Sequence, residues 1–521
     1  MKKGCVFLLG FLILFTATMA WAGSARDSGA QTGQRVLRVE VFERNTSGLN
    51  PAENWATRWI QENFGNPRNV KVEFTPVPRG QEIDMINILL AANNAPDICF
   101  VYNGGAISTY VQQGGVMQMD QYLNTPAGRV ISAYLGENVL SWGRWNGNQY
   151  ALPSRRMELG ATATFIRKDW LDKLGLPVPT TRDQFYNTLV AFKNQDPGGV
   201  GRNLIPLAME AYDPGVTWAA ATIMDTFITP AALAPRELAI RRNIEFTTEG
   251  YKEGVRYLNR LYNEGLVSPN FALDKDKQQF QRDIQSGNVG AFINSPVAWV
   301  YGRGIQNTLK ENSPGAEFIP IDPFVNAAGQ RAKRSNDPIG YYVFTPRTSK
   351  VPDLVVEYLA WMTDQSVLRI LRNGYEGIHF TSRTEDGIVL GAIPQNDLPN
   401  EQKWPAGDLI LVINGTDWGS EEMNNKAIML SNPEYGQFII QTNSIANNGR
   451  FDVPPITANI TSESNLGTTV RNKGNELYVR SIMASPAQFD QVYDQLYREY
   501  MDVGARRILE EKTAAWDRER R

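Results

Sequence analysis

An alternation of strand-like and helix-like segments constrains this chain most. "VLRVEVF" (Val36 to Phe42) places apolar side chains at every second position and reads as a strand. "WATRWIQENFG" follows as a helix ending at Gly65, "VKVEFTPV" as a second strand, "EIDMINILLAANNA" as a helix and "PDICFVY" as a third strand. Antiparallel hairpins would need tight turns between strands. Intervening helices predict instead an open, mainly parallel α/β sheet. Ligands of such sheets sit beyond the carboxyl ends of the strands. Arg44, Trp55, Tyr102 and Asn103 all lie at or just after such ends.

The chain has 521 residues, more than one hydrophobic core usually organises, so at least two domains are expected. A second α/β block runs from "ATATFIRKDWLDKLGL" past "VGAFINSPVAWV". "VPDLVVEYLAWMTDQSVLRILRNG" reads as one helix closed by Gly374. "FDQVYDQLYREYMDVGARRILEEKTAAW" reads as one long terminal helix, with Phe489, Val492, Tyr493, Leu496 and Tyr500 on one face.

Residues 1–22 read as a secretory signal peptide. Lys2 and Lys3 precede the apolar run "VFLLGFLILF", and "AWA" (Ala20 to Ala22) supplies the small residues of a cleavage site. Cys5 precedes the apolar run and no cysteine sits just after the expected cut, so a periplasmic protein without a lipid anchor is expected. Residues 23–35 are small and polar, a flexible lead-in. Cys99 is then the one remaining thiol, too few for an internal disulfide.

Several chemistries are disfavoured. The net charge is −3 with no basic run, which argues against nucleic-acid partners. His379 is the only histidine, so a zinc site of nitrogen and sulfur ligands would have only His379 and Cys99 to draw on. No G-x-S-x-G nucleophile elbow occurs. The expectation is a non-enzyme without cofactor or bound metal. A carboxylate pair for glycoside hydrolysis stays open, because that pairing is spatial.

Several segments, in order, resemble the family 1 extracellular solute-binding proteins of ABC importers, in their long-chain sugar and oligosaccharide branch. They are "LLAANNAPDICFV", "YALPSRR", "FIRKDWLDKLGLPVPTTRDQFYNTLVAFKNQDP", "LYNEGLVSPNF", "FQRDIQSGNVGAFI" and "GYEGIHF". The resemblance implies a periplasmic-binding-protein-like (type II) fold, with two α/β lobes joined by a hinge and the ligand cleft between them. Lobe one would comprise 36–156 plus 343–443, and lobe two 157–342 plus 444–521. It further implies a monomer that captures a sugar or oligosaccharide by hinge closure and delivers it to permease subunits. A periplasmic carbohydrate-active enzyme and a sensor-coupled binder are the alternatives.

Relatives carry a calcium loop where this chain has "DPGGVGRN". Asp196 and Gly201 remain, but Gly198 and Val200 stand where oxygen ligands belong, so a structural turn is expected. For a sugar, aromatic rings stack on pyranose faces, and planar polar groups meet the hydroxyls. Trp55 either does this or covers the lobe-one core. Arg155 either reaches ligand or pairs with Glu158. Trp218, Trp299 and Trp418 are further candidate platforms, with core packing the alternative for Trp299 and plain surface for Trp418, and Asp337 and Glu376 are candidate hydroxyl acceptors. His379 either joins them or makes a local structural hydrogen bond.

Overall fold

The computed structural model describes residues 33–44, 46–209, 218–274, 278–296 and 305–520; the leader and most of the lead-in lie outside them. Ten strands build the two principal sheets: β1 (Arg35–Glu43), β2 (Val70–Pro78), β3 (Cys99–Val101), β4 (Ala151–Arg156), β5 (Ala163–Arg167), β6 (Ile205–Ala208), β7 (Val289–Asn294), β8 (Phe318–Ile321), β9 (Ile339–Phe344) and β10 (Ile413–Asn414). Among the described residues no helix is long and apolar enough to cross a membrane.

The first sheet runs β2-β1-β3-β9-β4-β10. β1 and β2 pair in parallel with Val39 opposite Phe74. β1 joins β3 through the Val39–Ile98 bridge, with Glu40 N–H on the Ile98 carbonyl at 2.9 Å. β9 is antiparallel to both β3 and β4, and β10 runs parallel to β4. The second sheet runs β8-β5-β7-β6, in which only β6 and β7 are parallel. Each sheet is therefore mainly parallel in strand direction, with one reversed strand: β9 in the first and β5 in the second. β9 returns from the second sheet's side and can join the first only by running against β3.

Burial divides along the same lines. Apolar residues of 37–152 and 339–413 share one core, and those of 166–324 and 470–508 share another. A smaller cluster around Phe165, Phe292 and Phe318 covers the second sheet's other face, with Phe438 stacked 5.9 Å from Phe165. Boundaries at 342 and 443 fall inside packed units. Ile339, Tyr341 and Tyr342 belong to the first core, and the Gly436–Asn447 helix packs on the second sheet through Phe438 and Ile445. Both differences come from side-chain packing, which a strand or helix pattern does not report.

Two long helices are broken. Pro352–Met362 and Gln365–Asn373 are separate helices, because the Asp364 carboxylate caps Ser366 N–H and starts a new one. The terminal helix splits into Phe489–Tyr500 and Arg506–Glu519 around a π-turn in which Gly504 has φ +145°. Its buried face still carries Phe489, Tyr493, Leu496 and Tyr500.

Candidate functional site

Three chain segments cross between the sheets side by side. Arg155 N–H donates to the Val412 carbonyl, Arg156 N–H to Pro338 and Met157 N–H to Asn414, at 2.9–3.0 Å. These bonds tie the end of β4 to the start of β9 and the end of β10. Gly340 is required here. A Cβ on it would lie 2.4 Å from Asn414 Cβ and 2.6 Å from Ser154 Oγ, so any side chain would push the three strands apart.

Beside this seam lies a cavity of about 1350 Å³. Met157, Glu158, Gly415 and Thr416 line it from the crossing strands, and Arg372 and Asn373 from the end of the Gln365–Asn373 helix. The helices Glu421–Ser431 and Gly436–Asn447 supply the far wall. Seven asparagines line the space, from Asn373 to Asn448. Some amides are engaged: Asn424 Oδ1 accepts Trp418 N–H at 2.8 Å, and Asn448 Nδ2 donates to Asp322 at 2.9 Å. Those of Asn373, Asn425 and Asn443 have no partner among the described residues. Half-buried amides without partners await a hydrogen-bonding guest, because leaving them unpaired in a closed cleft is unfavourable.

Of the residues singled out from sequence, Trp418 lines this cavity, with Arg369 over its ring at 5.4 Å. Arg155 lies on the seam. Its partner is Asp417 at 2.6 Å rather than Glu158, and its guanidinium stacks over Tyr134 at 5.0 Å. Asp337 precedes β9 and is held by Arg242. That guanidinium packs over Trp142 at 4.3 Å.

Arg44, Tyr102 and Asn103 gather at the carboxyl ends of β1 and β3. Arg44 makes a bidentate pair with Asp408, both bonds 2.7 Å, which holds its guanidinium well above its usual range. Arg79 stacks over Tyr102 at 4.1 Å. Asn103 caps the Gly104–Gln112 helix through Gly105 N–H.

Trp55 and His379 occupy a different place. Trp55, Trp404 and His379 form an aromatic cluster with ring centres 4.6–5.1 Å apart. His379 Nδ1 accepts Tyr375 N–H at 2.8 Å, and Nε2 faces the Gln402 carbonyl at 3.0 Å. Trp55 Nε1 donates to that same carbonyl at 3.0 Å. Burial pushes the His379 pKa down. Neither residue lines the cavity, and Glu376 is exposed, 3.6 Å from Arg383. Trp299 lies outside the described residues. Trp218 opens the Trp218–Met224 helix, and its side chain lies outside them too.

Sequence reasoning missed Arg156, Arg372 and the asparagine wall. The "NN…SN…TNSIANN" pattern over 424–448 repeats amides along two consecutive helices, and that was the available signal.

The Asp196 loop closes on itself. Its two carboxylate oxygens accept Val200 and Gly201 N–H at 3.0 and 2.8 Å, and the Lys173 ammonium sits on the Pro197 carbonyl. Those acceptors serve a turn.

Two lobes, three crossing segments and a polar cavity beside the crossing define a bilobal periplasmic-binding-protein-like architecture. The chain belongs to the bacterial extracellular solute-binding protein family, whose profile matches residues 54–367. In Bacillus subtilis (strain 168), lipoprotein LipO is 25% identical over 333 residues, 61% of this chain and 62% of its own. The polygalacturonan/rhamnogalacturonan-binding protein YtcQ of the same strain is 24% identical over 318 residues, 60% of this chain and 61% of its own. The chain thus spans about three fifths of the length of these curated relatives. A solved HMO-binding, ABC-transporter-associated solute-binding protein from Bifidobacterium longum infantis ATCC 15697 shares the fold, with a TM-score of 0.68 at 17% identity, covering 93% of this chain and 99% of that one. Membership of this family makes the protein an exported one.

Proposed function

We propose that this protein is the solute-binding component of an ABC importer, taking a sugar or oligosaccharide into the cavity beside the crossing strands and handing it to membrane permease subunits. The observation that carries this reading is the asparagine-lined cavity of about 1350 Å³ with Trp418 at its wall. Amides that can donate and accept suit clustered hydroxyls, and an indole suits the C–H face of a sugar ring. The names of YtcQ and of the Bifidobacterium protein, both carbohydrate binders, support the same class.

Closure would move the two cores as rigid bodies, with backbone change confined to the Arg155–Met157, Pro338–Ile339 and Ile413–Gly415 segments. Lobe one would comprise 36–156 with 339–443, apart from the 436–447 helix, and lobe two 157–338 with that helix and 444–521. The mature protein would be a periplasmic monomer cut near Ala22, without a lipid anchor, and would leave its ligand chemically unchanged. A thermal-shift screen of mono- and oligosaccharides, amino acids and peptides tests the assignment. A ligand at about a hundredfold excess over Kd should stabilise the fold by about 2.7 kcal/mol. Stabilisation by peptides or amino acids and by no saccharide would overturn it.

A further inference from the structure

The arginines at the strand ends and beside the cavity are not equivalent. Arg44, Arg155 and Arg242 each hold a carboxylate of their own: Asp408, Asp417 and Asp337. Arg156 and Arg372 hold none within ion-pair distance among the described residues. Arg156 donates through Nε to the Ile339 carbonyl at 2.9 Å, and the acids near it are Asp337, already taken by Arg242, and Glu158. Arg372 lines the cavity, and the acid that shares its surroundings, Asp417, is already taken by Arg155 at 2.6 Å.

A guanidinium does not lose its proton in a protein, so a half-buried one without a counterion is an unfavourable arrangement unless a guest completes it. The cavity's own acids do not complete it. Glu421 is exposed at the start of its helix, where solvent and salt screen it. Glu158 is the nearer one to Arg156, but it is exposed too and lies beyond ion-pair distance of both Arg156 and Arg372. The hinge end of an otherwise amide-lined, hydroxyl-matching cavity therefore carries unspent positive charge on a planar fork. A carboxylate on a sugar ring is the group that meets such a fork with two parallel hydrogen bonds.

We propose that the solute is an acidic oligosaccharide, one whose ring carboxylate is held by Arg372, with Arg156 adding charge from the adjacent strand end. This rests on the sugar-binding reading above and narrows it.

The test is calorimetric titration with trigalacturonate, trimannuronate and a glucuronate-containing disaccharide, each beside its methyl ester, which keeps the hydroxyls and removes the charge. At least one acid should bind tenfold or more tighter than its ester, and that ratio should shrink as salt rises. In Arg372→Gln the ratio should fall close to one with ester affinity unchanged. Arg372→Lys, which keeps charge but not the fork, should fall between. Circular dichroism and thermal unfolding establish that each variant is folded. If Arg372→Gln does not fold, Arg156→Gln and the wild-type salt dependence carry the same decision. Acid and ester bound equally, or neutral oligosaccharides bound in preference, would overturn the proposal and leave sugar binding standing. Binding of no saccharide at all would overturn both.

Discussion

His379 is the residue whose replacement separates support of the fold from contact with ligand. Its ring is 3% exposed and fixed at both nitrogens. In His379→Ala the half-buried Tyr375 N–H loses its acceptor, a loss of at most about 1–3 kcal/mol for an orphaned amide. The Gln402 carbonyl is spared, because Trp55 Nε1 still donates to it at 3.0 Å. Ring contacts to Trp55 and Trp404, with centres 5.0 and 4.6 Å away, add about 0.5–1.5 kcal/mol each. The expected total is about 2–6 kcal/mol of folding stability. Urea unfolding followed by tryptophan fluorescence reads it, and ligand affinity of the still-folded protein should change less than threefold. His379→Asn should recover part of the loss, since its Oδ1 can replace Nδ1 as acceptor.

The same geometry fixes a pH dependence. An imidazolium cannot accept Tyr375 N–H, and burial already holds the folded pKa below the ordinary value. The His379 contribution is therefore intact above about pH 6.5 and is lost as pH falls through the lower folded value. The alanine variant should lack that slope. A variant of unchanged stability with tenfold weaker binding would refute this reasoning and put His379 at the ligand.

Trp418→Ala should weaken saccharide binding by about 1–2 kcal/mol, tenfold or more, with little change in unfolding temperature; calorimetry of both proteins decides it. Asp196→Ala removes the acceptor of two turn amides and should destabilise by about 1 kcal/mol, while chelator or calcium leaves the wild-type unfolding curve unmoved. Gly340→Ala should destabilise by at least about 1–3 kcal/mol, because its Cβ meets Asn414 and Ser154 across the seam; a neutral result would mean the crossing strands have slack.

How far the sequence could be read follows from where each feature is encoded. β1, β2 and β3 were legible because each carries its own apolar pattern, and they appear as Arg35–Glu43, Val70–Pro78 and Cys99–Val101. The helix breaks at Asp364 and Gly504 were not, since the apolar stripe continues across both and only a cap or one positive φ interrupts the backbone. Strand ends marked Arg44, Tyr102 and Arg155 correctly as positions, but not their partners Asp408, Arg79 and Asp417, which approach from distant segments. The cavity was illegible for the same reason. Met157, Arg372, Trp418 and Asn443 meet only after the chain has crossed between the sheets three times.

Small-angle scattering during a saccharide titration bears most directly on the whole account, with the sample analysed afterwards for ligand integrity. A radius of gyration that falls as sites fill, with the sugar recovered intact, is the expected result. Saturation at constant radius, or recovery of a cleaved product, would contradict it.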